Sequence, residues 1–318
     1  MNEKTAIILF NLGGPNNLES VQPFLENLFR DPDIFKIPLF QGLIAKVISM
    51  ARAPKVKKEY DIIGGSSPIN YWTERQRKLL EKSLQEGFDN IEVFTAMRYW
   101  HPLIKDVANE ISKKYYKRVI LLPLYPQYSF STTNSAYREW KRVFTSSQIE
   151  EVFIKNFNTN KFYINAVNQR IDETLQKFPK EIQKDVQLLF SAHGLPESFV
   201  KKGDPYPSQI RETIKLVMEA REHSHEFHLC YQSKVGPVKW LKPSTENTIQ
   251  TVIESGKKNL LIVPISFVCD HVETLYELDI EYRHIAEQLS VEKYVVMEGL
   301  NDSELFILAL KEEICERL

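Results

Sequence analysis

Short, continuously apolar runs alternate along the chain with longer amphipathic stretches. The runs predict eight β-strands, four in each half of the sequence: 5–11, 91–98, 118–124, 150–155, 186–191, 226–231, 259–265 and 293–298. Runs such as Ile-Ile-Leu-Phe and Leu-Leu-Ile-Val do not alternate with polar residues, which is typical of strands buried on both faces. Helical patterns lie between them, for example at 72–86, 210–221 and 246–254. The pattern therefore predicts parallel α/β sheets.

The two halves resemble each other in sequence. The segment LFNLGGP at 9–15 parallels LFSAHGLP at 189–196, and VILLP at 119–123 parallels NLLIVP at 259–264. We therefore expect two similar domains, the first with an insertion at about 30–70. Because ligands of open parallel sheets bind beyond the carboxyl ends of the strands, we expect the chemistry in a cleft where two such edges face each other.

The composition argues against several classes of function. The 318 residues include 41 Lys and Arg against 42 Asp and Glu, a net charge of −1, which argues against a nucleic-acid partner. Three cysteines are too few for a disulfide framework or a four-thiolate zinc site, so a reducing cytosol is expected. With no long apolar window, we expect a cytoplasmic protein that is at most peripheral on the inner face of the membrane. Dinucleotide, P-loop and nucleophile-elbow motifs are missing from the sequence.

The strongest local signal is the acidic segment DHVETLYELDIE at 270–281. Glu273, Glu277 and Glu281 recur every four residues, so on a helix they form one stripe. Like charges at that spacing destabilise a helix by about 0.2–0.5 kcal/mol per pair. A solvated acidic face is one interpretation. The position directly after a buried strand favours the other, a site for a divalent cation or a proton relay.

His193 is the second signal, in the turn SAHGLP that follows a predicted buried strand. A lone histidine often has a structural role. At the carboxyl end of a strand, however, it is placed to exchange protons near neutral pH or to bind a metal.

Residues 34–53 form an apolar segment with sparse cations at Lys36, Lys46 and Arg52. One interpretation is a helix packed on the core. The alternative is an exposed apolar lip that binds a hydrophobic ligand or contacts a membrane through its cations.

Nine motifs, taken in order, closely resemble the ferrochelatase family. They are NLGGP from Asn11, ARAPK from Ala51, YDIIGGSSPI from Tyr60, MRYWHP from Met97, LYPQYSFSTT from Leu124, FSAHGLP from Phe190, GDPYP from Gly203, QSKVGP from Gln232 and FVCDHVETLYELDIEY from Phe267. The resemblance implies the chelatase fold: two Rossmann-like domains, each a four-stranded parallel sheet flanked by helices, with the porphyrin cleft between them. We expect domains at 1–157 and 158–300, and a C-terminal helix in 301–318 that packs back on the first domain.

The resemblance also implies roles for single residues. His193 matches the active-site histidine, a proton acceptor and transient iron ligand, and Glu273 matches the glutamate that faces it across the macrocycle. Asp270 and His271 are expected to tune this pair. The implied metal-handling residues are His193, Glu273, Glu277 and Glu281. The positions that match the porphyrin pocket are Leu12, Arg52, Tyr60, Ser67, Arg98, Trp240 and Phe267.

Two departures from the family pattern matter. Gly194 stands where many relatives have serine. Animal relatives hold an iron–sulfur cluster with one internal cysteine and a cysteine-rich C-terminal tail. Here Phe130 occupies the internal position, and the sequence given ends Cys315-Glu316-Arg317-Leu318. We therefore expect no iron–sulfur cluster and no required cofactor, with Fe²⁺ as a substrate.

The apolar lip favours protoporphyrin IX as the second substrate. The alternatives are coproporphyrin III, another metal or tetrapyrrole, and, from a different class, a non-catalytic haem or porphyrin carrier. The oligomeric state stays open.

Overall fold

A computed structural model describes residues 4–35, 39–233, 236 and 238–318 of the chain. Lys36 in the apolar segment and three residues of the QSKVGP motif (Lys234, Val235 and Pro237) lie outside the described residues. All eight predicted strands are present in two four-stranded parallel sheets, which confirms the predicted fold class. The chain divides into two compact units, Met1–Phe157 with Ile307–Leu318 (unit 1) and Asn158–Phe306 (unit 2).

Unit 1 is built on a parallel sheet with the strand order β2-β1-β3-β4. Its strands are β1 Thr5–Asn11, β2 Ile91–Met97, β3 Arg118–Pro123 and β4 Glu150–Phe153. Its helices are α1 Val21–Phe29, α2 Gln41–Ile62, α3 Ile69–Gln85, α4 Ile104–Ile111 and α5 Ser135–Val143, with a 3₁₀ turn at Leu18–Ser20 and a π-helix, π1, at Phe130–Asn134. The apolar run of β1 is fully buried because helices cover both faces of the sheet.

Unit 2 repeats this strand order as β6-β5-β7-β8. Its strands are β5 Gln187–His193, β6 Phe227–Gln232, β7 Asn259–Pro264 and β8 Lys293–Val296. Its helices are α6 Lys161–Leu175, α7 Glu197–Lys201, α8 Tyr206–Ala220, α9 Thr245–Glu254 and α10 Tyr282–Gln288, with a 3₁₀ turn at Gln183–Asp185 and a π-helix, π2, at Glu273–Glu281. The matching order in both sheets agrees with the sequence likeness of the two halves.

The last helix, α11 (Glu304–Cys315), returns the chain to unit 1. The Lys311 ammonium donates to the backbone carbonyl of Ser83 at 2.6 Å, and the Arg118 guanidinium donates to the carbonyl of Leu318 at 2.7 Å. These contacts fasten the C-terminus to α3 and β3.

The acidic segment forms a π-helix rather than the ordinary α-helix that its spacing suggests. In a π-helix the backbone bonds join residues five apart, so each turn is wider than in an α-helix. Side chains four residues apart stay near one face of either helix, which is why the pattern could not tell the two apart. A π-helix also follows β3 in unit 1, and such segments are frequent at functional sites.

Helix α2 exposes several large apolar side chains in its first half. Ala45 and Ala53 are buried, whereas Leu43, Val47 and Met50 are 64%, 59% and 58% exposed. The exposed apolar lip is therefore the interpretation that the structure supports over a helix whose apolar side chains are packed on the core. Across the described part of the chain, every helix is too short or too polar to cross a bilayer.

Candidate active site

The carboxyl edge of the unit 2 sheet brings three polar segments together. Strands β5 and β6 end side by side, with His193 paired in register with Gln232. The loop after β7 leads into π2, which begins at Glu273. Because all strands are parallel, these three chain segments meet at one edge of the sheet, where the sequence predicted the chemistry.

The centre of the site is a contact between His193 and Glu273. The imidazole Nδ1 lies 2.8 Å from the carboxylate Oε2. The backbone of His193 is fixed on both sides, since its N–H donates to the Ser266 hydroxyl at 3.0 Å and its carbonyl accepts from the Tyr206 hydroxyl at 3.1 Å. With Nδ1 engaged, Nε2 is the ring nitrogen left for a substrate, and the side chain is 42% exposed.

Each member of this pair changes the acidity of the other. Desolvation lowers the pKa of His193, but the charge and hydrogen bond of Glu273 outweigh it and leave the pKa above its ordinary value. Desolvation raises the pKa of Glu273, yet the charge and hydrogen bond of His193 lower it to about 2. The carboxylate therefore stays ionised and makes the imidazole a stronger base.

Glu277 lies one turn further along π2 and is joined to the pair through Ser233. The Ser233 N–H donates to Glu277 Oε1 at 2.8 Å, and its hydroxyl lies 2.5 Å from Glu277 Oε2 and 3.2 Å from Glu273 Oε2. Desolvation and the neighbouring charge of Glu273 raise the pKa of Glu277 to about 7, against the opposing hydrogen bond of Ser233. Its charge therefore changes close to neutral pH.

Asp270 and His271 occupy supporting positions. Buried Asp270 accepts hydrogen bonds from the Gly299 N–H at 3.0 Å and the Asn301 amide at 2.7 Å, which anchor the loop that begins π2. The His271 Nε2 lies 4.0 Å from Glu273 Oε1. Burial lowers the pKa of His271 despite the nearby Glu273, so it is a neutral neighbour of the pair.

Glu281 lies at the far end of π2, exposed, two turns from Glu273. The structure brings His193, Glu273 and Glu277 together and leaves Glu281 at the outer end of the stripe. No group of three or more His, Cys, Asp or Glu side chains is arranged as a metal site within the described ranges. The three glutamates, Glu273, Glu277 and Glu281, follow one another in an open row along π2.

The remaining pocket positions are divided between the units. In unit 2 the Phe267 ring lies 4.3 Å from the His271 ring and 6.1 Å from the His193 ring, centroid to centroid. Trp240 pairs with Pro196 in the turn after His193. In unit 1 Tyr60 and Ser67 are buried, Leu12 is half-buried, and the exposed Arg52 lies over the Phe29 ring.

Arg98, the last predicted pocket residue, forms a buried network with Asp31. Its Nη2 lies 2.9 Å from Asp31 Oδ2, which also accepts hydrogen bonds from the Tyr99 and Ser135 hydroxyls. The Arg98 Nε donates to the Ser135 hydroxyl at 2.8 Å. Arg98, Asp31 and Ser135 line a cavity of about 540 Å³. Asp31 cannot be identified from the sequence, because its cationic partner is distant along the chain and no local motif marks it.

Comparison with known proteins gives one consistent family. The ferrochelatase family model matches residues 4–318. The chain is 48% identical over 317 residues to the ferrochelatase of Citrifermentans bemidjiense, covering 98% of both chains. It is 45% identical over 312 residues to that of Aquifex aeolicus, covering 97% of this chain and 98% of the relative. It is also 42% identical to ferrochelatase-1, chloroplastic/mitochondrial, of Arabidopsis thaliana, covering 99% of this chain and 70% of the relative.

Among solved structures, SirB from Bacillus subtilis with Fe³⁺ superposes with a TM-score of 0.58 at 12% identity, covering 99% of this chain and 95% of that one. CbiX, described as the terminal enzyme for biosynthesis of siroheme in denitrifying bacteria, gives a TM-score of 0.52 at 11% identity, covering 99% and 100%. At these identities the likeness shows the chelatase fold alone.

We expect Glu277→Gln to stabilise the protein at pH 8 and to change little at pH 5. The pKa of Glu277 is raised from 4.5 to about 7 on folding, so the folded chain holds this proton more tightly than the unfolded chain. That contribution is present at low pH and is lost as the pH rises through 7. Glutamine cannot ionise, so thermal unfolding at pH 8 should show a Tm higher by a few degrees.

Exposed Glu281 at the outer end of π2 is the matched control. Because its side chain is exposed, Glu281→Gln should melt at the wild-type temperature at pH 8. A Glu277→Gln protein that melts at the wild-type temperature at pH 8 would contradict the proposed burial of this charge.

Proposed function

The chain belongs to the ferrochelatase family of lyases, which insert a metal into a porphyrin, and we propose that it inserts Fe²⁺ into protoporphyrin IX. The products are protohaem and two protons, in the terminal step of haem biosynthesis. The observation that carries the proposal is the 2.8 Å contact between His193 and Glu273 at the carboxyl edge of the unit 2 sheet. This contact places a base, the His193 imidazole, next to the Glu273 carboxylate, which stays ionised. Metal insertion needs such a base and such a negative charge.

His193 is proposed as the acceptor of the pyrrole protons. Metal insertion requires two pyrrole N–H groups to lose their protons, and a base near neutral pKa does this best. Nε2 is the ring nitrogen available to the substrate, because Nδ1 is bonded to Glu273. When Nε2 takes a proton, the ionised Glu273 stabilises the imidazolium that forms.

The open row of carboxylates on π2 is proposed as the path for iron or protons. Glu277 and exposed Glu281 follow Glu273 at intervals of one turn. A closed cage would hold a cation, whereas an open row of oxygen ligands lets a substrate cation pass. On this proposal the enzyme needs no resident metal, no cofactor and no iron–sulfur cluster.

The choice of protoporphyrin IX over coproporphyrin III rests on helix α2. Protoporphyrin carries two apolar vinyl groups where coproporphyrin carries two further charged propionates. The large side chains that α2 exposes, Leu43, Val47 and Met50, suit apolar substituents better than carboxylates.

We also propose that residues 34–53 contact an anionic membrane surface, with the protein cytoplasmic and peripheral on the inner face. Phe40, Leu43 and Val47 are exposed on α2 or next to it, and the cations Lys46 and Arg52 are exposed beside them. An apolar face flanked by cations binds at the boundary of headgroups and acyl chains. Such contact would bring the enzyme to a lipophilic porphyrin.

Steady-state insertion assays with Fe²⁺, Co²⁺ and Zn²⁺ on both porphyrins test the substrate. We expect Fe²⁺ to be inserted and kcat/KM to favour protoporphyrin IX by at least about tenfold, since burying two extra charges is costly. A preference for coproporphyrin III would overturn the substrate assignment. Tight haem binding without turnover would indicate a carrier.

His193→Ala should lower the rate of iron insertion by about 10²–10⁴-fold, the usual contribution of a positioned base. Glu273→Gln should impair insertion far more than Glu281→Gln, because only Glu273 contacts the imidazole. Single-turnover haem formation measures both. Near wild-type insertion by His193→Ala, or equal effects of the two glutamine variants, would refute these roles.

The triple variant Leu43→Ser, Val47→Ser and Met50→Ser should lose most of its binding to mixed phosphatidylcholine–phosphatidylglycerol vesicles in a flotation assay. The reason is that it removes the exposed apolar face of α2. Tyr115→Ser removes an even more exposed ring outside α2 and should leave binding unchanged. Undiminished binding by the triple variant would exclude this face as the contact.

A further inference from the structure

The turn after β5 lies against the backbone of the loop after β6. The Gly194 N–H donates to the Gln232 carbonyl at 2.7 Å. A Cβ at position 194 would lie 2.6 Å from the Gln232 oxygen and 2.8 Å from the Ser233 oxygen, closer than side chains approach backbone atoms. Glycine at 194 therefore permits the approach that sets Ser233 beside the active-site carboxylates.

Ser233 has a left-handed backbone conformation, with φ of 57°, which is uncommon for a residue other than glycine. In this conformation its N–H and its hydroxyl both point at Glu277, with Oε1 at 2.8 Å and Oε2 at 2.5 Å. The hydroxyl also lies 3.2 Å from Glu273 Oε2. A single side chain is thus in hydrogen-bond range of both carboxylates.

Gln232 completes this arrangement. Its amide oxygen accepts a hydrogen bond from the Ser191 hydroxyl at 2.8 Å, which turns its NH₂ group toward Glu273 Oε2 at 3.4 Å. Glu273 therefore receives donors from the loop after β6 on one side and from His193 on the other. Two carboxylates one turn apart repel each other, and donors between them reduce that repulsion.

We propose that Ser233 is a positioning residue for metal insertion, whose hydroxyl bridges Glu273 and Glu277 and holds Glu273 against His193 Nδ1. This inference rests on the role proposed above for His193 and Glu273. Without the hydroxyl, the two carboxylates separate, and Glu273 no longer holds the imidazole in one orientation.

Two substitutions separate the hydroxyl from the backbone. Ser233→Ala removes the hydroxyl and disfavours the left-handed conformation, whereas Ser233→Gly removes the hydroxyl and retains that conformation. We expect kcat for Fe²⁺ insertion to fall by about tenfold in both, as for other residues that orient a metal-handling ligand, with the KM for the porphyrin unchanged.

Ser290 is the matched control, an exposed serine with a φ of 64°. Ser290→Ala makes the same chemical change in the same backbone conformation, and it should leave kcat and KM at wild-type values. Thermal unfolding of every variant shows whether it is folded.

Wild-type kcat in Ser233→Gly would overturn the inference, whether or not Ser233→Ala is impaired, because the hydroxyl would then have no role. A raised porphyrin KM with unchanged kcat would also overturn it, by indicating a role in the pocket wall. His193→Ala keeps the two proposals distinguishable. If that variant inserts iron normally, the function of the pair fails, and if it is inactive while Ser233→Gly is active, only the role of Ser233 fails.

Discussion

The contact between His193 and Glu273 is the constraint on which the site depends. At 2.8 Å the two groups determine each other's protonation, since the imidazole keeps the carboxylate ionised and the carboxylate makes the imidazole a stronger base. Neither group would keep this protonation behaviour without the other. A desolvated histidine would be a weaker base, and a desolvated glutamate without a cation would tend to take up a proton.

Holding this contact takes residues from several parts of unit 2. The parallel strands β5 and β6 end side by side, which places His193 next to Gln232 and Ser233. Asp270 ties the loop that begins π2 to the chain beyond β8 through Gly299 and Asn301. The sheet thus brings the site residues to one edge. Hydrogen bonds in the short loops then fix the final positions of their side chains to within a fraction of an ångström.

The sequence predicts the fold well and the site in part. Continuous apolar runs identify the central strands β1, β3, β5 and β7 because strands buried on both faces have no polar alternation. The outer strands β2, β4, β6 and β8 are partly exposed, and shorter apolar runs identify them. His193 and Glu273 can be found because each follows such a strand. The π-helix could not be predicted, since a spacing of four suits either helix. Ser233 lies within a recognisable motif, but its action arises from a left-handed backbone angle, and Asp31 meets Arg98 only through the folded chain.

Asp31 in unit 1 and Glu277 in unit 2 differ in how their charges are compensated. Asp31 in unit 1 has the Arg98 guanidinium and two hydroxyls around it, so the protein itself compensates the charge. Within the described residues of π2, only Glu273 in the acidic stripe has a cationic partner, whereas Glu277 and Glu281 form no ion pair. Desolvation and the neighbouring Glu273 raise the pKa of Glu277 to about 7, so a proton neutralises its charge just below neutral pH. An uncompensated carboxylate weakens the fold. On the function proposed above, its place beside His193 is explained because the substrate supplies the missing positive charge.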